Sequence, residues 1–123
     1  MRTTLVAFGG LLGSLARFWL SGALQRLGGG DLPVGTLAVN ILGSFVIGVV
    51  MALSLERGTP GPSVRLFLTV GFCGGFTTMS SFGYETLALA RDGQTAFAFG
   101  NVVANVGGSL AATWLGYTLG RIS

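Results

Sequence analysis

The stretch Gly71-Phe72-Cys73-Gly74-Gly75-Phe76-Thr77-Thr78-Met79-Ser80-Ser81-Phe82-Gly83-Tyr84-Glu85 decides how this chain is read. It falls mostly within a charge-free run, Leu66 to Tyr84, bounded by Arg65 and Glu85. A run of that length is close to the ~20 apolar residues that a helix needs to cross a bilayer core of about 30 Å. Its middle is nevertheless poor helix material. Two adjacent glycines are followed by the β-branched pair Thr77-Thr78, and both residue types disfavour a continuous helix. The stretch therefore predicts a membrane helix interrupted at mid-depth. An interruption frees backbone carbonyls and amides, and lipid tolerates these only where they are buried in protein or line a cavity. Freed carbonyls also suit a hard cation such as Na⁺.

Outward from this stretch, the charges mark the boundaries. Leu32 to Leu55 and Gly93 to Gly120 carry no charge, and Thr3 to Gln25 is interrupted only by Arg17. The pattern predicts an all-α membrane protein with four transmembrane helices, at about 3–26, 34–55, 64–90 and 95–120, in one domain spanning 1–123. The breaks have turn chemistry: Leu27-Gly28-Gly29-Gly30-Asp31-Leu32-Pro33, Glu56-Arg57-Gly58-Thr59-Pro60-Gly61-Pro62 and Arg91-Asp92-Gly93. All are short, so consecutive helices should pack antiparallel. Residues 1–23 are a weak match to a secretory signal, because Arg17 interrupts the apolar core and no small-x-small cleavage site precedes a soluble domain.

Composition agrees with a membrane setting. The chain is 123 residues long, 50% hydrophobic and only 9% charged. Soluble domains carry roughly 25% charged residues, so this chain cannot cover a water-facing surface. The net charge is +3, with a pI near 10.0. The basic residues, all arginines (Arg2, Arg17, Arg26, Arg57, Arg65, Arg91, Arg121), are scattered singly at the flanks of apolar runs. That distribution excludes nucleic acid as a partner and fits membrane interfaces. With a single cysteine, Cys73, and no histidine, neither a protein-built zinc site nor a Ser/His or Cys/His nucleophile can be assembled. The chain reads as a non-enzyme.

Glycine is abundant, with 22 copies, several at small-xxx-small spacing: Gly9 and Gly13, Gly71 and Gly75, Gly116 and Gly120. Such pairs let helix backbones approach closely, so a tight bundle and self-association are expected. The arginine bias between the two faces is small: Arg2, Arg57, Arg65 and Arg121 lie on one side, Arg26 and Arg91 on the other. Arginine asymmetry sets orientation, so a weak bias permits insertion both ways and pairing of opposed copies.

Polar residues inside membrane helices are costly unless paired or wetted. The fourth helix carries Asn101, Asn105, Ser109 and Thr113 at four-residue intervals, a stripe along one face. The stripe reads either as an interhelical hydrogen-bond seam or as a pathway of neutral donors, and its full-helix extent favours the pathway. Asn40 in the second helix reads equally as a helix–helix clamp or as an amide donor to an anion. Phe82 follows the break by about one turn. A phenyl ring has a positive edge that can replace water around a small anion, although alone it reads as apolar filler. Arg17 could snorkel, cap carbonyls or make a vestibule positive, and Glu85 could pair with an arginine.

The segments Gly9-Gly10-x-x-Gly13-Ser14-x-x-Arg17, Gly35-Thr36-Leu37-x-Val39-Asn40-x-x-Gly43-Ser44-Phe45 and Gly71 through Phe82 resemble the CrcB/Fluc fluoride channel family. The resemblance covers essentially the whole chain, and its third segment is the most specific. It implies an antiparallel, dual-topology homodimer with two fluoride pores in a bacterial inner (plasma) membrane. Asn40 would line the pore and Phe82 would belong to an aromatic fluoride box. The family places a second Phe three residues earlier, where this chain has Met79, a polarizable side chain without a phenyl edge. The family's polar track maps onto Asn101, Asn105 and Ser109, with hydroxyls more usual at the first two. Thr78 and Ser81 would lie near the pore, and Arg17 near a vestibule. A structural Na⁺ would sit at the dimer centre on the backbone carbonyls of Gly74 and Thr77 from each subunit.

Fluoride holds water strongly, so a pore must replace that shell with fixed dipoles yet release the ion. Asn amides, hydroxyls and phenyl edges meet that demand without a trapping charge. The resemblance implies passive export that lowers cytoplasmic fluoride and confers fluoride resistance. The alternative is a proton-coupled exporter of the small multidrug-resistance type, also small and four-helical. Such an exporter needs a carboxylate in its first helix, where this chain has Arg17.

Overall fold

In the computed structural model, which describes all residues 1–123, the chain is entirely helical. Helix α1 spans Arg2–Gly28 and α2 spans Val34–Arg57. A third path is composite: α3 (Pro62–Leu66), a π-helical segment (Phe67–Cys73), α4 (Gly74–Phe76) and α5 (Met79–Arg91). Helix α6 spans Thr95–Ile122. The four expected spans are thus present as helical paths, extended by one or two residues at every end except the starts of the second and fourth, which coincide. Glu56, read from sequence as lying in a loop, falls in the last turn of α2. Three of the paths, Arg2–Gly28, Val34–Arg57 and Pro62–Arg91, are long and apolar enough to cross a membrane. Helix α6 has the length, but its asparagines dilute its apolarity and it is not among those three.

Local chemistry explains the ends. Helices α1, α2, α5 and α6 each carry an arginine in the last turn (Arg26, Arg57, Arg91 and Arg121), where a cation complements the negative end of the helix dipole. Gly58 ends α2 in the left-handed region (φ 72°), and its N–H is donated to the Ser54 carbonyl. A side chain is strained at such a φ and glycine is not.

Helix α2 packs most extensively on α6, and α1 packs on the π-helical segment and α4. Both pairs run parallel. Contacts advance together along the first pair, from Asn40 with Asn105 to Gly116 with Phe45 and Gly120 with Ala52. Along the second pair they run from Gly9 with Phe67 and Gly71 to Gly13 with Phe72 and Arg17 with Gly75. Sequential neighbours run antiparallel, as the short connections anticipate: the start of α2 at Gly35 meets Ser21 and Gln25 near the end of α1, and Thr36 meets Glu85 while Asn40 meets Thr78.

The glycine pairs act inside the subunit. A Cβ on Gly9 would stand 2.6 Å from the Phe67 carbonyl oxygen and 2.9 Å from the Gly71 Cα. On the other pair, a Cβ on Gly116 would collide with the Phe45 carbonyl. The backbones touch, and dispersion contact replaces the hydrophobic drive that lipid cannot supply. Much of the outward surface is large and apolar, including Phe18, Trp19, Leu110 and Trp114. In water such a surface would aggregate; in lipid it is solvated.

Overpacking the α2–α6 seam is expected to cost about 1–3 kcal/mol or more. Gly116→Leu should lower the temperature at which purified protein in detergent loses its monodisperse chromatographic peak. Gly107→Leu, on the same helix with no atom within 4 Å of an added Cβ, should leave that temperature unchanged.

Candidate functional site

The interruption falls at Thr77 (φ −88°, ψ 159°) and Thr78 (φ −149°, ψ 117°), both extended. Gly74 and Gly75 remain helical, so the threonines, with their β-branched preference for extended backbone, mark the break. Gly75 serves close packing instead: a Cβ there would lie 2.6 Å from the Gly10 carbonyl oxygen. Thr78 restarts the chain as the N-cap of α5, its Oγ1 accepting from the Ser81 N–H at 3.2 Å.

Several groups at the break find partners. The Thr77 N–H and hydroxyl both donate to the Cys73 carbonyl, at 3.0 and 2.9 Å. Arg17 donates from Nε to the Gly75 carbonyl at 3.0 Å. Asn40 engages Thr78 twice: its Oδ1 accepts from the Thr78 N–H at 2.8 Å, and its Nδ2 donates to the Thr78 carbonyl at 3.2 Å. The carbonyls of Gly74 and Thr77 receive no hydrogen bond within the subunit. They border a surface hollow of about 150 Å³ with Gly43, Ser44, Ile47, Thr69 and Cys73.

Beside the break lies a cavity of about 330 Å³, lined by Asn40, Thr77, Thr78, Met79, Phe82, Asn105, Val106, Ser109 and Leu110. Among the residues singled out from sequence, the fold therefore gathers Asn40, Thr78, Met79, Phe82, Asn105 and Ser109 around one space. No charged side chain lines it. Met79 stands at its rim, 75% exposed, so the cavity opens to the outer surface of the subunit.

Three sequence candidates lie elsewhere. Ser81 sits in the first turn of α5, outside the lining. Asn101 is buried one turn behind Asn105. It donates to Thr86 Oγ1 at 2.9 Å, and its own Oδ1 accepts from Asn105 Nδ2, also at 2.9 Å. Arg17 faces the Gly75 carbonyl rather than the cavity. Of its three sequence readings, carbonyl capping is the one the contact matches. The stripe on α6 is accordingly a seam at Asn101 and a cavity wall at Ser109, with Asn105 serving as both.

Sequence reading missed three features. The π-helical segment Phe67–Cys73, which packs against Gly9 and Gly13 of α1, has no composition signal. Thr86 lies one turn beyond Phe82 on α5 and accepts from Asn101 Nδ2. Glu85 pairs with Thr36, whose hydroxyl donates to its Oε2 at 3.0 Å, and not with an arginine.

The double grip of Asn40 on Thr78 can be tested directly. Asn40→Ala leaves the Thr78 N–H and C=O unpaired, at about 1–3 kcal/mol per buried group. Hydrogen exchange at the Thr78 amide should accelerate strongly in that variant. In Asn40→Asp the acceptor is retained, so protection of that amide should persist.

Comparison with known proteins follows the same lines. The family described as "CrcB-like protein, Camphor Resistance (CrcB)" matches residues 4–117. Similar relatives include a protein of Geotalea uraniireducens (strain Rf4), 45% identical over 122 residues that cover 98% of both chains. Another is a protein of Solibacter usitatus (strain Ellin6076), 46% identical over 121 residues, 98% of this chain and 99% of the relative. A third, from Geobacter sp. (strain M21), is 43% identical over 116 residues, 94% of each. All three are named "Fluoride-specific ion channel FluC". Coverage from end to end at these identities places the chain, a multi-pass helical membrane protein with a break in its third path, in the CrcB-like family.

Proposed function

We propose that this protein is a fluoride-selective channel that passively exports fluoride from the cytoplasm, lowering its concentration there and conferring resistance. The observation that carries the reading is the cavity at the helix break. It brings uncharged dipoles, one phenyl ring and one thioether together, and it holds no charged side chain. Family membership and the names of the relatives support the same reading. Fixed neutral dipoles can stand in for the hydration shell of a small anion and still release it, which a cationic site would hinder. An ion channel of this kind does no covalent chemistry, and the protein is not an enzyme.

In this reading fluoride passes beside Asn40, Thr78, Phe82, Asn105 and Ser109, with Met79 at the rim and Ser81 and Asn101 behind the wall. Arg17 lends a positive potential nearby while capping Gly75. All four helical paths cross the bilayer, α6 included, because its asparagines are turned inward and buried. The membrane is a bacterial inner (plasma) membrane. A polar cavity that opens on a lipid-facing surface is not tolerated alone, so a second, antiparallel copy closes it, and the functional unit is a dual-topology homodimer. The weak arginine bias permits such insertion.

The family also implies a structural Na⁺ between subunits. The carbonyls of Gly74 and Thr77 fit that role, being hard oxygen donors left without hydrogen bonds beside an open hollow. Bound there, the cation would supply positive charge and bridge the two subunits.

Purified protein in liposomes, followed with fluoride- and chloride-selective electrodes, tests the reading. Rapid fluoride loss with little chloride loss is expected. Asn40→Asp and Phe82→Ile should each reduce fluoride flux at least about tenfold, the equivalent of losing one ~1.4 kcal/mol interaction. Organic-cation efflux driven by a pH gradient, without fluoride flux, would replace the channel with an exporter.

A further inference from the structure

The chain contains three asparagines, and all three belong to one hydrogen-bond relay. It starts at the Thr78 N–H, which donates to Asn40 Oδ1 at 2.8 Å. Asn40 Nδ2 donates to Asn105 Oδ1 at 2.9 Å, and Asn105 Nδ2 donates to Asn101 Oδ1 at 2.9 Å. Asn101 Nδ2 donates to Thr86 Oγ1 at 2.9 Å, and Thr86 Oγ1 donates to the Phe82 carbonyl at 2.8 Å. Every proton points the same way, from the break in the third path, across α2 and α6, and back to α5.

The direction follows from chemistry at both ends. A carboxamide can be turned over to exchange its oxygen and nitrogen, and its hydrogen-bond partners decide which way it lies. At the near end the choice is forced, because the Thr78 backbone offers Asn40 one donor and one acceptor. At the far end it depends on Thr86. Its single hydroxyl proton is given to Phe82, so only a lone pair faces Asn101. That lone pair makes Asn101 present its NH2 to Thr86 and its oxygen to Asn105. Asn105 then has both donors turned inward, to the Asn101 side-chain oxygen and to the Asn101 backbone carbonyl at 3.1 Å. Its oxygen is left facing Asn40.

We infer that Thr86 is a positioning residue for the anion pathway: by ending the relay as an acceptor, it sets the orientation of the Asn101 amide, whose oxygen holds the Asn105 NH2 from behind the cavity wall while Asn40 holds the Asn105 oxygen in front. Thr86 does not line the cavity. It acts through Asn101, and the inference rests on the channel reading for its effect on flux.

The test uses full-length protein labelled only with ¹⁵N-asparagine, in lipid nanodiscs, so that three side-chain NH2 pairs report on three residues. In Thr86→Val, which keeps the shape and removes the acceptor, the Asn101 and Asn105 pairs should move and Thr86→Ser should restore them. In liposomes, Thr86→Val should slow fluoride efflux at least about tenfold and Thr86→Ser should stay within about twofold of the wild type. Thr86→Ala provides a second variant if the valine protein is not monodisperse. Unmoved Asn101 and Asn105 resonances in Thr86→Val, or in Thr86→Ala where that variant is the one measured, would overturn the inference, as would wild-type efflux from that variant. If the wild-type protein carries no fluoride, the channel reading falls, while the resonances still decide whether Thr86 orients the relay.

Discussion

The structure depends on a backbone interrupted inside a membrane and on what satisfies it there. Two residues, Thr77 and Thr78, leave the helix. In hydrocarbon each unpaired amide or carbonyl would cost several kcal/mol. Asn40 answers for Thr78 with both ends of one carboxamide, and Arg17 answers for Gly75 from the other side. The second and first helices are therefore held to the third path by side chains that replace its missing helical bonds. Close glycine contacts make the reach short enough for these bonds to form.

The same solution creates the cavity. A helix that stops and restarts offsets its two halves, and the space beside the offset is bounded by whatever the neighbouring helices present. Here they present Asn40, Asn105 and Ser109 with apolar Val106 and Leu110. The hydrogen bonds that close the break and the cavity wall thus draw on the same residues. Asn40 clamps Thr78 and also lines the cavity. The asparagine relay extends the arrangement: the buried amides of α6 satisfy one another and stay neutral. A buried charge would be far more costly and would bind an anion too firmly to release it.

The outward surface and the open rim of the cavity belong together. Large apolar side chains cover the subunit, and Met79 stands exposed where the polar space meets that surface. A bilayer solvates the first feature and not the polar groups of the second.

How much of this could be read from the residues alone varies by feature. Charge spacing marked out the four helical paths, because a bilayer core demands apolar runs of one length. The unfavourable helix chemistry at 71–78 determined that the third path breaks, and the polar residues near it marked where to look. Tertiary structure decided the rest. It put the break at Thr77-Thr78 and left Gly74-Gly75 helical, with Gly75 packed against Gly10 and Ser14 of α1. It split the α6 stripe between seam and wall, since only packing against α2 and α5 determines which rotation of that helix meets the cavity. It also brought Thr86 to Asn101 across 15 positions. Residue type states what a side chain can donate or accept; which partner it meets depends on distances between helices that no local pattern contains.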